Sequence, residues 1–176
     1  MSTDTRVETS PPLIVRLLLD ARVEFRRVAE AVPNPARGGA IGRLNPGSFI
    51  VAHVATRADR VWNVAAQALE PDAWLEKAST GSGEPRSTPR YDEALAALDR
   101  AFARSEAYVA ALTPSRFEDP LVAGRRGRTI GDQLARCTGH TWSHAGELAA
   151  LGSLVGGPDL GLPGALLHSS SGQAET

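Results

Sequence analysis

Two histidines four residues apart are the most informative chemical feature of the chain. His140 and His144 lie in segment 129–148, whose apolar residues recur at helical spacing. Residues i and i+4 stack on one helix face, so both imidazoles can reach a single metal ion. The chain has only four histidines. A third ligand must come from another segment, and His53 is the obvious candidate.

His53 also lies on an inward-facing stripe, in the second helical segment. Buried polar groups need partners, so three inward histidines are costly unless something binds them. A shared divalent metal would supply that partner and leave at least one coordination position open, as in catalytic sites. The alternative is that His53 is a core residue bonded to a backbone carbonyl. The pair His140/His144 lacks the glutamate of H-E-x-x-H, which excludes the zinc-protease motif.

Two further residues near the histidines could take part in chemistry. Arg57 follows His53 by one helical turn and could attract an anionic substrate. It could equally form a salt bridge, for instance with Asp59, Glu147 or Asp20, or lie in solvent. Cys137 precedes His140 by one turn. It could be a soft ligand or an activated thiolate, although a small buried apolar residue is the more usual role.

Four helical segments must position these residues. The apolar spacing and proline boundaries predict helices over about 13–32, 49–69, 91–112 and 129–155. No strand alternation is evident, so the prediction is an all-α domain. Helices of roughly 20 residues, each about 30 Å long, suit a four-helix bundle, here spanning residues 11–158. Thr129 and Asp132 have the spacing of a capping box.

The connections and ends differ from the helices in composition. Segment 33–46 is glycine-rich and long enough to lie over one end of a bundle. Segment 77–90 has the composition of a flexible linker. Residues 1–10 and 159–176 are predicted to be disordered or flexible ends.

Composition excludes several functional classes. The chain has 176 residues and a formal net charge of −1, which does not favour nucleic-acid binding. A single cysteine excludes an internal disulfide and a cysteine-rich metal knuckle. No signal peptide or membrane span is evident. We therefore expect a soluble cytoplasmic protein that contacts neither membrane nor nucleic acid.

Two stretches resemble the DinB/YfiT-like bundle superfamily. Residues 51–62, VAHVATRADRVW, resemble its second helix, and residues 140–148, HTWSHAGEL, resemble its fourth-helix motif H-x-x-x-H-R-G-Q-[IL]. The order and spacing of the helices agree over about 13–154. The resemblance implies an up-down-down-up type of four-helix bundle, often a homodimer. It also implies one divalent metal, zinc first and nickel second, held by His53, His140 and His144.

The chain departs from that motif at two positions. Ala145 stands where the family commonly has arginine, and Glu147 where it has glutamine. Glu147 could support a ligand histidine, act as an extra ligand, serve as a general base, or lie in solvent. The stretch around His53 is also similar to the mycothiol-dependent maleylpyruvate isomerase branch. That branch tends to have glutamate where this chain has His140.

The resemblance implies a metal-dependent enzyme that uses a low-molecular-weight thiol such as mycothiol, bacillithiol or glutathione. It would act as a thiol S-transferase toward a small electrophile or as a thiol-dependent isomerase. Arg57 would then steer an anionic group and Glu147 would handle a proton. The alternatives are a metal-dependent hydrolase and a non-catalytic, stress-associated metal-binding or dimerisation protein.

Overall fold

Four long helices make up most of the described residues. The computed structural model describes residues 10–39, 41–81, 87–122 and 127–160. The helices in order are α1 (Leu13–Ala31), α2 (Asn34–Gly38), α3 (Gly47–Ala58), α4 (Ala73–Ala78), α5 (Tyr91–Ala110) and α6 (Ile130–Leu154). The described residues contain no strand, only an isolated bridge between Pro120 and Thr129. The prediction of an all-α fold is confirmed.

Each long helix packs against two others. α1 packs mainly on α6 and α3 mainly on α5, while α3–α6 and α1–α5 contacts close the ring. The metal-ligand candidates lie on the neighbouring helices α3 and α6. The directions in which the helices run stay a prediction. None of the described helices is both long and apolar enough to cross a membrane.

The helix ends follow the signals in the sequence. Pro12 precedes α1, and Val32–Pro33 follows it. The capping box before α6 is present. The Asp132 N–H donates to Thr129 Oγ1 at 3.1 Å, and the Thr129 N–H donates to Asp132 Oδ2 at 3.1 Å. This reciprocal pair fixes the start of the helix that holds two of the histidines.

The second long helix is not regular throughout, which corrects the prediction. After Ala58 it continues as a π-helix over Asp59–Ala65, and Ala68 adopts a positive φ of 54° beyond it. The wider turn shifts the register of the helix face. Val61 is buried, whereas Val64, which would share its face in a regular α-helix, is only half-buried. Apolar spacing alone does not reveal such a change of helix type.

The prediction of a flexible linker over 77–90 was wrong for its first residues. Lys77 lies in α4, and Thr80 is fully buried. Thr80 Oγ1 lies 3.0 Å from Thr56 Oγ1, so this connection is attached to α3. Residues 82–86 lie outside the described residues. So do 1–9 and 161–176, which hold most of the two predicted flexible ends.

Candidate metal centre

The fold brings the three predicted histidines together. One ring nitrogen from each of His53, His140 and His144 lies within 4.8 Å of the other two. His53 Nε2 and His140 Nε2 are 3.0 Å apart. The His140 and His144 ring centroids are separated by 4.5 Å, as expected for residues one turn apart on α6. All three rings are partly buried.

Hydrogen bonds orient two of the rings. The His53 Nδ1–H donates to the Thr80 carbonyl at 2.6 Å, because a carbonyl can only accept. Phe49 stacks on the His53 ring at a centroid distance of 5.8 Å. The His144 Nδ1–H donates to Glu147 Oε2 at 2.7 Å. In the neutral form, each of these two rings therefore carries an unprotonated Nε2, which is the form that binds metals.

A divalent metal fits this donor set. Two imidazole nitrogens on one Zn²⁺ at about 2.0–2.1 Å would lie about 3.3 Å apart at a tetrahedral angle, close to the 3.0 Å between His53 and His140. Two facing nitrogen lone pairs repel unless a proton or a cation lies between them. His140 Nδ1 is buried and has no hydrogen-bond partner among the described residues. Three nitrogens would leave a coordination position open.

The electrostatics favour the neutral form of His140 and His53. Burial, followed by the nearby His144 and His53 rings, lowers the pKa of His140 from its ordinary 6.5 to about 3. Burial also lowers the pKa of His53. A metal must compete with protons for imidazole nitrogen, so these shifts favour metal binding at neutral and mildly acidic pH.

Arg57 lies beside the histidines and forms no ion pair within the part of the chain that the structure describes. Its Nη2 donates to Gln133 Oε1 at 3.2 Å. Two of the acidic residues that the sequence suggests as partners of Arg57 bind other residues. Asp59 pairs with Arg104, and Glu147 pairs with His144. Arg57 and His53 line the same open pocket of about 200 Å³. Its positive charge is thus available to a ligand in that pocket.

Cys137 does not join the cluster. It is buried, 4 % exposed, and lies outside the group of nitrogens that converge on one point. Burial raises the pKa of its thiol above the ordinary value. These observations favour the small buried residue over the metal ligand or activated thiolate.

The chain matches one known protein family. The model of the DinB superfamily matches residues 15–148, which include His53, His140, His144 and Glu147. The chain belongs to the DinB superfamily. The resemblance seen in the sequence is therefore confirmed at the level of the superfamily. No curated protein and no solved structure matches the chain.

Glu147, where the DinB superfamily motif commonly has glutamine, holds the His144 ring in place. It accepts from His144 through Oε2 and from Asn45 Nδ2 through Oε1 at 3.2 Å. The hydrogen bond from His144 lowers the pKa of the carboxyl below its ordinary value. A general base works best with a pKa near the working pH, so this environment favours the supporting role.

Two contributors to the site were not predicted from the sequence. Thr80 holds His53 through its backbone carbonyl, so its side-chain type carries no signal of that role. Asn45 donates to Glu147, which lies 102 positions further along the chain. Its place before Pro46 indicates only a turn.

Removing the Glu147 carboxylate should weaken metal binding. We expect Glu147→Ala to lower metal affinity by about 10–100-fold, since loss of a partner to a ligand histidine has effects of that size. Glu147→Gln should cost less, because its amide oxygen can still accept from His144. Metal titration in competition with a chromophoric chelator measures both. Glu106→Ala, at an exposed glutamate, is the control. Equal affinities in all four proteins would show that Glu147 gives no support.

The metal-free protein should lose stability as the pH falls from 7 to 5. The unfolded chain protonates His140 near pH 6.5, whereas the folded chain does so only near pH 3, so acid favours unfolding across this window. Solvent reaches part of the ring, and we expect His140 to account for about 1 kcal/mol of the loss. Denaturant unfolding of chelated protein at both pH values measures it. The unfolding free energy of His140→Gln should fall by about 1 kcal/mol less than that of wild type between the two pH values. An identical fall in both proteins would contradict the assignment of this pH dependence to His140.

Proposed function

We propose that the protein is a metal-dependent enzyme that uses a low-molecular-weight thiol, either as a thiol S-transferase or as a thiol-dependent isomerase. The observation that carries the proposal is the convergence of three imidazole nitrogens beside an open pocket. His53, His140 and His144 would hold one divalent metal. Zinc is the metal we expect, with nickel second, because imidazole suits both.

When bound, the metal would lower the pKa of a thiol or of water at its open position and supply a nucleophile at neutral pH. The protein's own residues do the positioning. Thr80 and Glu147 hold two ligand rings through their outer nitrogens. Membership of the DinB superfamily supports the metal site, while the thiol and the electrophile rest on the resemblance to its thiol-using branches. A part for Glu147 in proton transfer stays a prediction.

Arg57 would bind an anionic group of the electrophile. It lines the pocket with His53 and has no carboxylate partner among the described residues. A hydrogen bond to a charged group is worth about 1.5–3 kcal/mol, so Arg57→Met should lower kcat/KM for an anionic electrophile by roughly 10–100-fold. A neutral electrophile of similar shape should be affected little. Equal losses on both electrophiles would argue against a charge-specific role.

A thiol-by-electrophile screen tests the proposal. Zinc- and nickel-loaded protein is incubated with mycothiol, bacillithiol or glutathione and a panel of epoxides, quinones and unsaturated dicarboxylates. Mass spectrometry then detects adducts, and chromatography detects isomerised product. Turnover should need both metal and thiol, and His140→Ala should abolish it. His168→Ala is the matched control, because His168 is the fourth histidine of the chain and is not one of the three proposed ligands.

The same screen separates the alternatives. Hydrolysis of ester or amide substrates by metal-loaded protein without thiol would replace the proposal with a metal-dependent hydrolase. Full metal loading with no turnover of any kind would favour a non-catalytic metal-binding protein.

A further inference from the structure

An open groove of about 450 Å³ lies on the outside of the bundle between α1 and α5. Its lining includes Leu19, Val23 and Phe102, and most of its surface is apolar. It lies between two helices that contact each other less closely than α1 contacts α6. Val23 is 68 % exposed and lies one turn from Leu19, so an apolar strip of α1 faces solvent. Contiguous exposed apolar surface of this kind marks a contact site.

The charged side chains around the groove neutralise one another in pairs. The pairs are Arg26 with Glu30 and Asp99, Arg27 with Glu24, and Arg22 with Glu106. Each arginine that lines the groove therefore already has an acidic neighbour. Placing a further charge there would cost solvation without adding a new counter-charge. The groove thus favours an uncharged, apolar occupant over an ionic one.

The chain that follows α6 turns back along α1 towards this groove. Gly157 lies against Pro33, just beyond the end of α1, where an added Cβ would be only 2.6 Å from Pro33 Cγ. Three residues later, the Leu160 carbonyl accepts from Arg27 Nη2 at 3.0 Å. Leu160 also packs against the hydrophobic core, and Arg27 lines the groove. The described chain therefore ends beside the groove, and its last residues run in the direction opposite to α1.

The next residues have the composition that the groove favours. Residues 161–167, GLPGALL, contain three leucines and no charged side chain, whereas residues 168–176 are mainly polar. Both stretches lie outside the described residues. Extended chain spans about 3.3 Å per residue, so residues 161–167 can reach about 23 Å. The part of α1 from Arg27 back to Leu19 spans only about 12 Å. The apolar stretch is therefore long enough to cover the groove.

We propose that residues 161–167 bind in the groove between α1 and α5 of the same chain, running antiparallel to α1. Their three leucines would cover Val23 and Leu19, and the hydrogen bond from Arg27 to Leu160 would fix the point of entry. The bound segment would close the side of the bundle where α1 and α5 contact each other less closely. This role does not depend on the proposed metal chemistry, which lies between α3 and α6.

Disulfide formation between engineered cysteines tests the position of the segment. In the full chain, Val23→Cys combined with Leu166→Cys should form an intrachain disulfide under mild oxidation, detected by peptide mass spectrometry. Lys77→Cys combined with Leu166→Cys is the control, because Lys77 is exposed on α4, which packs against α3. The control pair should form its disulfide at least about tenfold more slowly, since its effective concentration is lower. Equal rates would overturn the proposal. A disulfide between two chains would also overturn it, because a second copy would then occupy the groove.

Thermal unfolding gives a second test that needs no added cysteine. Val23→Ser should lower the Tm of the full chain by roughly 2–4 °C, because the bound leucines lose an apolar contact. In a protein that carries Leu162→Asp, Leu166→Asp and Leu167→Asp, the same substitution should have no effect, since the contact is already lost. Aspartates in place of the serines at 169–171 are the control and should leave the effect of Val23→Ser intact. An equal effect of Val23→Ser in all three proteins, or none in any, would overturn the proposal.

Discussion

His140→Ala is expected to lower the affinity for zinc by more than about 100-fold, beyond the loss caused by removing a residue that only supports a ligand. His140 Nε2 lies 3.0 Å from His53 Nε2, so it would be a direct ligand. The metal-free variant should fold as well as wild type. The buried His140 Nδ1 has no partner in the described residues, and the only partner of its Nε2, the His53 ring, is still held by the Thr80 carbonyl. Chelator competition gives the affinity, and thermal unfolding gives the stability.

His168→Ala serves as the matched control for this prediction and should bind zinc like wild type. Comparing the zinc affinities of the two histidine variants distinguishes specific binding at the three-histidine cluster from nonspecific binding to any imidazole. If His140→Ala and wild type have the same affinity, the metal does not bind between α3 and α6. A large loss of metal-free stability in His140→Ala would instead mean that the ring is needed for packing.

Asp59→Ala is expected to lower the free energy of unfolding by about 3–5 kcal/mol. Asp59 is 2 % exposed and accepts three hydrogen bonds at the start of the π-helix. Its donors are Asn63 Nδ2 at 2.8 Å, Arg104 Nη1 at 3.1 Å and the Asp72 N–H at 3.0 Å. The substitution would remove the carboxylate from the part-buried Arg104 guanidinium, which would keep only the Glu70 carbonyl, and from the buried Asn63 amide, which would keep the Ala101 carbonyl. It would also remove the acceptor of the Asp72 N–H just before α4.

An exposed aspartate provides the comparison for Asp59. Asp99 pairs with Arg26 at 2.6 Å, yet its side chain is 49 % exposed. Solvent-exposed ion pairs contribute about 0–1 kcal/mol, so Asp99→Ala should change the unfolding free energy by no more than that. Urea unfolding monitored by circular dichroism measures both. Losses of equal size would mean that burial does not determine the value of these carboxylates.

The sequence predicts the histidine cluster well where local periodicity determines it. His140 and His144 share a face because any α-helix stacks residues i and i+4, and the capping box of Thr129 and Asp132 fixes where that helix begins. His53 could be placed on an inward face by the same argument. Apolar spacing alone does not predict that α3 packs beside α6. That pairing follows only from the superfamily resemblance or from the structure.

The features of the site that the sequence does not predict depend on long-range contacts or on backbone contacts. Thr80 acts through its carbonyl, which every residue possesses, and its segment has the composition of a linker. The π-helix after Ala58 adds a residue to the turn without altering the list of apolar positions. The sequence suggests acidic partners for Arg57, but Arg57 donates a hydrogen bond to the neutral Gln133 on α6. Such pairings follow from how the helices pack, which apolar spacing does not specify.

X-ray absorption at the zinc edge of the wild-type protein tests the central claim most directly. The claim predicts three imidazole nitrogens at about 2.0–2.1 Å and one exchangeable light-atom ligand, with a sulfur at about 2.3 Å replacing that ligand when thiol is added. A spectrum with fewer than three imidazoles, or protein that retains no zinc after reconstitution, would contradict a metal centre at His53, His140 and His144. Three imidazoles without sulfur on adding thiol would preserve the metal centre and contradict the thiol chemistry.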